Sequence, residues 1–352
     1  MNPKSVLFEI VSKTNITSLM RQLHDPGLSI FMFHGFTDHP PSHLENSCDL
    51  HLQIDEFSNL CAWMQRHAHV ISLSEALTLQ RLGRPLPKGS VVLTFDDGYA
   101  SNYHLAFPLL QRYEMPATVF VATDFVDNRA WLWPDRLEYS LGHTAKTSVR
   151  TSIGGIKRNH SLASQADRRR CALELGDGFK QLPQENLAAE ICDLEAQLEA
   201  SLRNAATIPD IYEPLTWSQV KNMHGSGLVE FGGHTHQHLI LSRCQPETIR
   251  RELKTSTSLL SAVLGTPPKL FAYPNGKAGD FNEQTRQALQ EAGYEGAVIT
   301  TPGFNHSKTV FDPYALRRFG QPQCPAHLDI ISSGFPQWLS RLSHKATSRA
   351  AL

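Results

Sequence analysis

Short apolar, often β-branched runs alternate with stretches of helical spacing along most of this chain. That alternation constrains the fold more than any other feature. Leu28–His34 (LSIFMFH), Ser90–Phe95 (SVVLTF), Ala117–Thr123 (ATVFVAT), Leu228–Gly233 (LVEFGG), Lys269–Tyr273 (KLFAY), Gly296–Thr300 (GAVIT) and Ala315–Phe319 (ALRRF) read as strands, with a shorter one at His69–Ser72. Helical spacing falls between them, at Asp55–Ala68, Ser74–Leu82, Ser101–Tyr113, Pro246–Leu264 and Glu283–Ala292. Pro108 should bend the third of these. Strand–helix alternation argues for parallel strands joined by crossover helices, and with seven or eight strands a barrel is the natural closure. The expected architecture is therefore α/β, a distorted (β/α)7-type barrel.

Residues 128–212 break the rhythm. They are polar, then helical, and hold no convincing buried strand; Leu187, Ile191, Leu194, Leu198 and Leu202 recur at three- and four-residue steps, marking one apolar helix face. This predicts a helical insertion packed against the barrel. The expected organisation is 1–127 and 213–325 as the two parts of the barrel, 128–212 as the insertion and 326–352 as a C-terminal tail.

Composition narrows the function classes. Thirty-three basic against 34 acidic residues give a net charge of −1, without the basic excess that a nucleic-acid partner normally leaves. No window approaches the ~18 uninterrupted apolar residues of a membrane span. The N-terminal residues lack the continuous apolar stretch of a secretory signal. The six cysteines contain no C-x-x-C pair, as befits reduced thiols. A soluble cytoplasmic protein is the expectation, its oligomeric state open. The 17 histidines are the unusual count, and they raise the prospect of a metal site.

In strand–helix barrels active residues gather where strands end and loops begin. Thr94–Tyr99 (TFDDGY) follows the SVVL strand. An Asp-Gly turn is ordinary loop chemistry, but it does not explain two adjacent carboxylates, which repel in a cavity unless a cation lies between them or one is protonated. His234–His238 (HTHQH) follows LVEFGG. A histidine pair four apart is a weak signal here, since about one is expected by chance. Its position after a buried-looking strand and a Gly-Gly step, which should let the backbone turn sharply, sets it apart. Two imidazoles and one carboxylate with an open position is the usual protein share of a catalytic zinc site, and Asp97 could supply the carboxylate. Phe271–Gly276 (FAYPNG) ends a third strand in a Pro-Asn-Gly turn, and His34 ends a fourth.

These motifs, in this order, resemble the polysaccharide deacetylase family, carbohydrate esterase family 4. Pro108–Thr123 and Glu291–Asn305 are similar to that family's phrasing as well. The resemblance implies a divalent metal, Zn2+ foremost, held by Asp97, His234 and His238, with Asp96 as general base. It implies substrate contacts from Tyr273, Pro274 and Asn275, with Asn275 the candidate donor to the oxyanion. The implied activity is metal-dependent hydrolysis of N-acetyl groups on a sugar of a glycan. Hydrolysis of a small non-sugar amide or formyl group, or carbohydrate binding without turnover, are the alternatives. Two family features are missing: the third motif's usual arginine stands as Ala272, and the late Leu-x-His that supplies the acid is absent near Ala315–Gly320. Our expectation is that His34 replaces the acid and that Arg317 or Arg318 supplies the positive charge.

Overall fold

Residues 14, 16–23, 27–42, 44–306 and 312–334 are described by a computed structural model. The expected absence of a secretory signal rests on residues that lie mostly outside these, as does most of the expected tail.

Helix α1 (Ile16–Leu23) precedes strand β1 (Ser29–Phe33), which continues almost at once into β2 (Gly35–Thr37); β2 pairs with β3 (His51–Gln53). Helix α2 (Ile54–His67), β4 (His69–Val70) and α3 (Leu73–Arg81) lead to β5 (Ser90–Phe95), buried at every position as its β-branched run predicts. A π-helical turn (Asn102–Ala106) runs into α4 (Phe107–Tyr113). The expected bend takes this form because Pro108 offers no N–H, and the widened turn before it absorbs the break in the hydrogen-bond ladder. Strand β6 (Ala117–Val121) and helix α5 (Thr123–Asn128) complete the first half.

The intervening segment holds α6 (Trp133–His143), a hairpin of β7 (Ser148–Ile153) and β8 (Ile156–Ser161), α7 (Gln165–Phe179) and α8 (Leu187–Leu198). The hairpin is an addition to the helical reading. Its strands are mostly exposed, so burial left no mark on the sequence, while Gly154 and Gly155, both at positive φ, make its two-residue turn. Leu187, Ile191, Leu194 and Leu198 pack with Leu137, Leu141, Cys171, Leu175 and Phe179 in a core belonging largely to this segment. Leu202 joins a separate small cluster with Ile211 and Tyr212.

The barrel resumes with α9 (Trp217–Gly225), β9 (Val229–Gly233), α10 (Pro246–Leu264), β10 (Leu270–Ala272), α11 (Glu283–Glu291), β11 (Gly296–Ile299), β12 (Leu316–Arg317) and β13 (Phe319–Gly320). Helix α12 (Pro325–Ser332) follows, where the sequence suggested only a tail. The main sheet runs β12-β11-β10-β9-β6-β5-β1-β13, every pairing parallel, with β4 added beside β5. Its two ends are consecutive pieces of one segment: Leu316 pairs with Val298 on one side and Phe319 with Phe31 on the other. The segment read as a single strand, Ala315–Phe319, therefore bridges the gap and nearly closes the sheet into a distorted barrel. Arg318 lies at that closure.

Phe33, Phe36, Phe57 and Phe95 meet at ring-centroid separations of 4.6 to 6.1 Å and lock β1, β2 and β5 to α2. This fixes the loops at the carboxyl ends of β1 and β5, where the site is built.

Candidate active site

Strand β5 delivers Asp96 and Asp97. Neighbouring side chains on a regular strand point to opposite faces, so both can reach one cavity only where the strand ends. Asp97 has φ 76° and Gly98 φ 96°, so the backbone turns through the left-handed region at once. Thr235, His238 and Asn275 share that conformation with φ between 57° and 63°. Non-glycine residues held there cost free energy, and such residues cluster at functional sites.

The carboxyl end of β9 supplies His234 and His238. The sequence assigned the sharp turn to Gly232 and Gly233, but neither has positive φ; the turn is made at Thr235. The glycines answer to packing instead. A Cβ on Gly232 would stand 2.6 Å from the Leu270 carbonyl oxygen, and one on Gly233 2.3 Å from the Tyr294 hydroxyl. The loop is then held from below, because Glu252 accepts the backbone N–H groups of His236 (2.9 Å) and Gln237 (2.7 Å). His236 turns away from the site towards Thr123 and Asp124.

Asp97, His234 and His238 converge, with one donor atom from each lying within 4.8 Å of the others. Asp97 Oδ1 is 3.3 Å from both His234 Nε2 and His238 Nε2, yet this buried oxygen has a satisfactory hydrogen bond from neither. A buried acceptor left between two imidazoles is what a cation would satisfy. His234 Nδ1 lies 2.7 Å from the Ala272 carbonyl oxygen. A carbonyl can only accept, so Nδ1 carries the proton and Nε2 keeps its lone pair for a metal. Burial pushes the His238 pKa down to about 4, leaving its ring neutral as a ligand must be. Burial opposes ionisation of Asp97, but His234 and His238 together hold it well below the usual carboxylate range.

Asp96 faces a different partner. The guanidinium of Arg318, itself buried, grips it through Nη1–Oδ1 and Nη2–Oδ2 contacts of 2.7 Å each. Arg318 also donates to Thr94 Oγ1 (3.1 Å) and, through Nε, to the Ile299 carbonyl oxygen (3.3 Å). Burial raises the Asp96 pKa, but Arg318 outweighs it and the carboxylate is held below its ordinary value. Between the two arginines weighed from sequence, only Arg318 reaches the carboxylate; Arg317 is exposed.

These groups line a cavity of about 300 Å³ together with His34, Tyr99 and Asn275. The Asn275 side chain donates to Asp280, which also accepts from the Lys277 N–H (2.9 Å). Among the described residues no acceptor takes the Asn275 backbone N–H. Tyr273 and Pro274 do not line the cavity: Tyr273 is packed in the core between Phe271 and Phe281. Following a motif along the chain cannot tell which of its side chains turn inward.

Among the lining residues that escaped the sequence reading, three are titratable groups beside the site. His51 is buried against Tyr99 at a centroid separation of 4.7 Å, and burial drives its pKa down to about 3. Asp135 and Glu138 come from α6. Asp135 accepts from the Tyr99 hydroxyl at 3.0 and 3.1 Å, and burial first, then Glu138 and Asp97, push its pKa well up. Nothing local distinguishes these from ordinary helix and loop residues. A carboxylate pair three apart on an insertion helix was the available hint.

A family model described as polysaccharide deacetylase matches residues 83–297. YxkH of Bacillus subtilis, a protein assigned by name to the polysaccharide deacetylases, is 21% identical over 303 residues, covering 86% of this chain and 75% of that protein. The poly-beta-1,6-N-acetyl-D-glucosamine N-deacetylase of Escherichia coli K12 is 40% identical over 70 residues, 20% of this chain and only 10% of that enzyme. Among solved structures, the Streptococcus pyogenes deacetylase PplD in complex with acetate superposes with a TM-score of 0.55 at 19% identity, covering 86% of this chain and 96% of that one. IcaB from Ammonifex degensii gives a TM-score of 0.55 at 18% identity, covering 88% and 97%. These two establish the shared fold. With a match spanning more than half its length and running through all three motifs, the chain belongs to the polysaccharide deacetylase family, hydrolases of carbon–nitrogen bonds other than peptide bonds.

Proposed function

We propose that this protein hydrolyses the N-acetyl group of an amino sugar in a glycan or glycan precursor, using a divalent cation held by Asp97, His234 and His238. The observation that carries this reading is the buried Asp97 oxygen stranded between two imidazoles, beside a second carboxylate held ionised by Arg318. Two imidazoles and one carboxylate suit Zn2+ best. When bound, such an ion polarises the acyl carbonyl and acidifies water at neutral pH.

The chain's own residues supply the rest. Asp96 accepts the proton of the attacking water through the lone pairs that Arg318 leaves free. Arg318 keeps it ionised and fixes its direction. The unpaired Asn275 N–H donates to the oxygen of the acyl carbonyl as negative charge develops there. An amine leaves readily only once protonated, and His34, an imidazole that lines the cavity outside the three proposed ligands, gives that proton. The N-deacetylase name of the E. coli relative supports the choice of bond and substrate class.

Acetate release from mono- and oligomeric N-acetylglucosamine is the direct test, with added Zn2+ or Co2+, a chelated control and Asp96→Asn. The native protein should need the ion. Asp96→Asn should lose a factor of roughly 10² to 10⁴ in turnover while still retaining metal. Undiminished release after chelation, or an active Asp96→Asn, would sink the proposal.

A further inference from the structure

The cavity has a wall that the barrel does not make. Leu132, Trp133, Asp135 and Leu137 line it from α6 and the residue before it, and Leu173 lines it from α7. This wall is tied across to the loop between β2 and β3. Glu138 accepts the backbone N–H groups of Asn46 (2.8 Å) and Ser47 (2.7 Å), the Ser47 hydroxyl (2.5 Å) and the Tyr212 hydroxyl (2.8 Å). Arg169 of α7 donates to the Ser47 carbonyl oxygen at 2.8 Å, and Leu44 is buried within the core of the inserted segment. The loops carrying Asn275, Lys277 and Thr300 line the cavity as well. A groove that tracks a polymer must run past the reacting group in both directions. Here the hydrogen-bonded Asn46, Ser47 and Glu138 form part of the wall, and the volume of about 300 Å³ lies at the small end of the roughly 300–1,000 Å³ typical of small-molecule sites.

The lining fits a sugar ring. Trp133 is half-buried, braced edge-to-face against Phe179 at 6.0 Å, and offers a flat apolar surface to the C–H face of a pyranose. The buried carboxyl of Asp135 receives one hydrogen, shared from the Tyr99 hydroxyl, which leaves most of its hydrogen-bonding capacity for a ligand. Glu138 differs, since its four protein donors make it a strut.

Resting on the deacetylase reading of the site, we propose that the inserted segment makes the catalytic cavity a chamber for one N-acylated amino-sugar unit, alone or at the end of a chain, with Trp133 against its ring and Asp135 bonded to one of its hydroxyls. Burial raises the Asp135 pKa, which favours the protonated carboxyl, a form that can also donate to a sugar oxygen.

Equilibrium binding to the Zn2+-loaded full chain, followed by NMR, tests this without relying on turnover. The probes are the methyl glycosides of N-acetylglucosamine, N-acetylgalactosamine and N-acetylmannosamine, with β-1,4- and β-1,6-linked N-acetylglucosamine tetramers. At least one methyl glycoside should bind, and no tetramer should bind more than about threefold tighter than the N-acetylglucosamine monomer. Trp133→Ala and Asp135→Ala should each weaken binding of that glycoside about tenfold, the scale of one aromatic face or one strong hydrogen bond. Affinity that climbs tenfold or more from monomer to tetramer would overturn the proposal on the unmodified protein, as would absence of binding by every glycoside. Trp133→Ala and Asp135→Ala both binding normally would overturn it too. Glycosides that bind as expected but release no acetate would remove the deacetylase reading and leave the chamber standing.

Discussion

In the proposed mechanism, Asp96 and the Arg318 that grips it carry most of the chemistry. The guanidinium holds the carboxylate below its ordinary pKa, so its removal should raise that pKa. Arg318→Met should therefore move the acid limb of the kcat/KM profile to higher pH, because the base must be ionised to work. It should also leave a buried carboxylate without its partner and cost about 3–5 kcal/mol of stability, readable by urea denaturation. An unmoved acid limb would mean that Arg318 does not govern the base. His34→Gln should lower kcat by roughly two orders of magnitude with metal content unchanged, if its ring protonates the leaving nitrogen; full turnover would return the acid's role to another group. At this scale the sequence was legible where chemistry repeats a spacing. Asp96, Asp97, His234 and His238 were readable from strand-end motifs, and the structure gathers them in one cavity. Tyr273 was not, because a motif gives order along the chain but not the direction of a side chain.

Elements were readable in proportion to how deeply they are buried. Helix α10 spans Pro246–Leu264 as its spacing predicts, and β5 is the β-branched run Ser90–Phe95 itself. The β7–β8 hairpin was missed because its strands are largely solvated and carry no clean alternation. The glycines of β9 show a different failure: their presence was visible but their reason was not. Phe120 and the β10 backbone approach Gly232 so closely that no side chain fits, a fact of inter-strand packing that no local pattern records. Gly232→Ala should destabilise the fold by about 1–3 kcal/mol, since the Leu270 carbonyl belongs to the sheet and cannot swing aside. Gly227→Ala, with open space around it but positive φ, should cost about 1 kcal/mol through backbone strain alone. Thermal melts of the two variants compare the mechanisms directly, and equal losses would refute the packing argument.

The whole molecule couples protonation to folding. Burial depresses His51 to about 3 and His238 to about 4, against about 6.5 in an unfolded chain. Protons therefore bind the unfolded chain first as pH falls, so the stability these groups contribute is intact above pH 6.5 and is lost towards pH 4 and 3. His234 is shifted upward, chiefly by Asp97 against the effect of burial, and burial raises Asp135, Glu138 and Glu252, so these groups act in the opposite sense. The contribution of His51 is isolated by comparison with His51→Gln: as pH falls from 7 to 4.5, the melting temperature of the metal-free native protein should drop relative to that of the variant. A difference between the two proteins that stays constant across this range would contradict the assignment. The barrel was foreseeable from strand–helix alternation, and Ala315–Phe319 read as a strand; its division into β12 and β13, one on each sheet edge, was not, because two residues each are too few to carry a pattern. That closure has a temporal meaning. Asp96 is translated more than two hundred residues before the arginine that charges it, and that arginine reaches it only when the segment joining the two sheet edges docks. If Asp96 is the base proposed above, a nascent or partly opened chain that has gathered its histidines still lacks it in working form, and hydrolytic competence waits on that seam of the barrel.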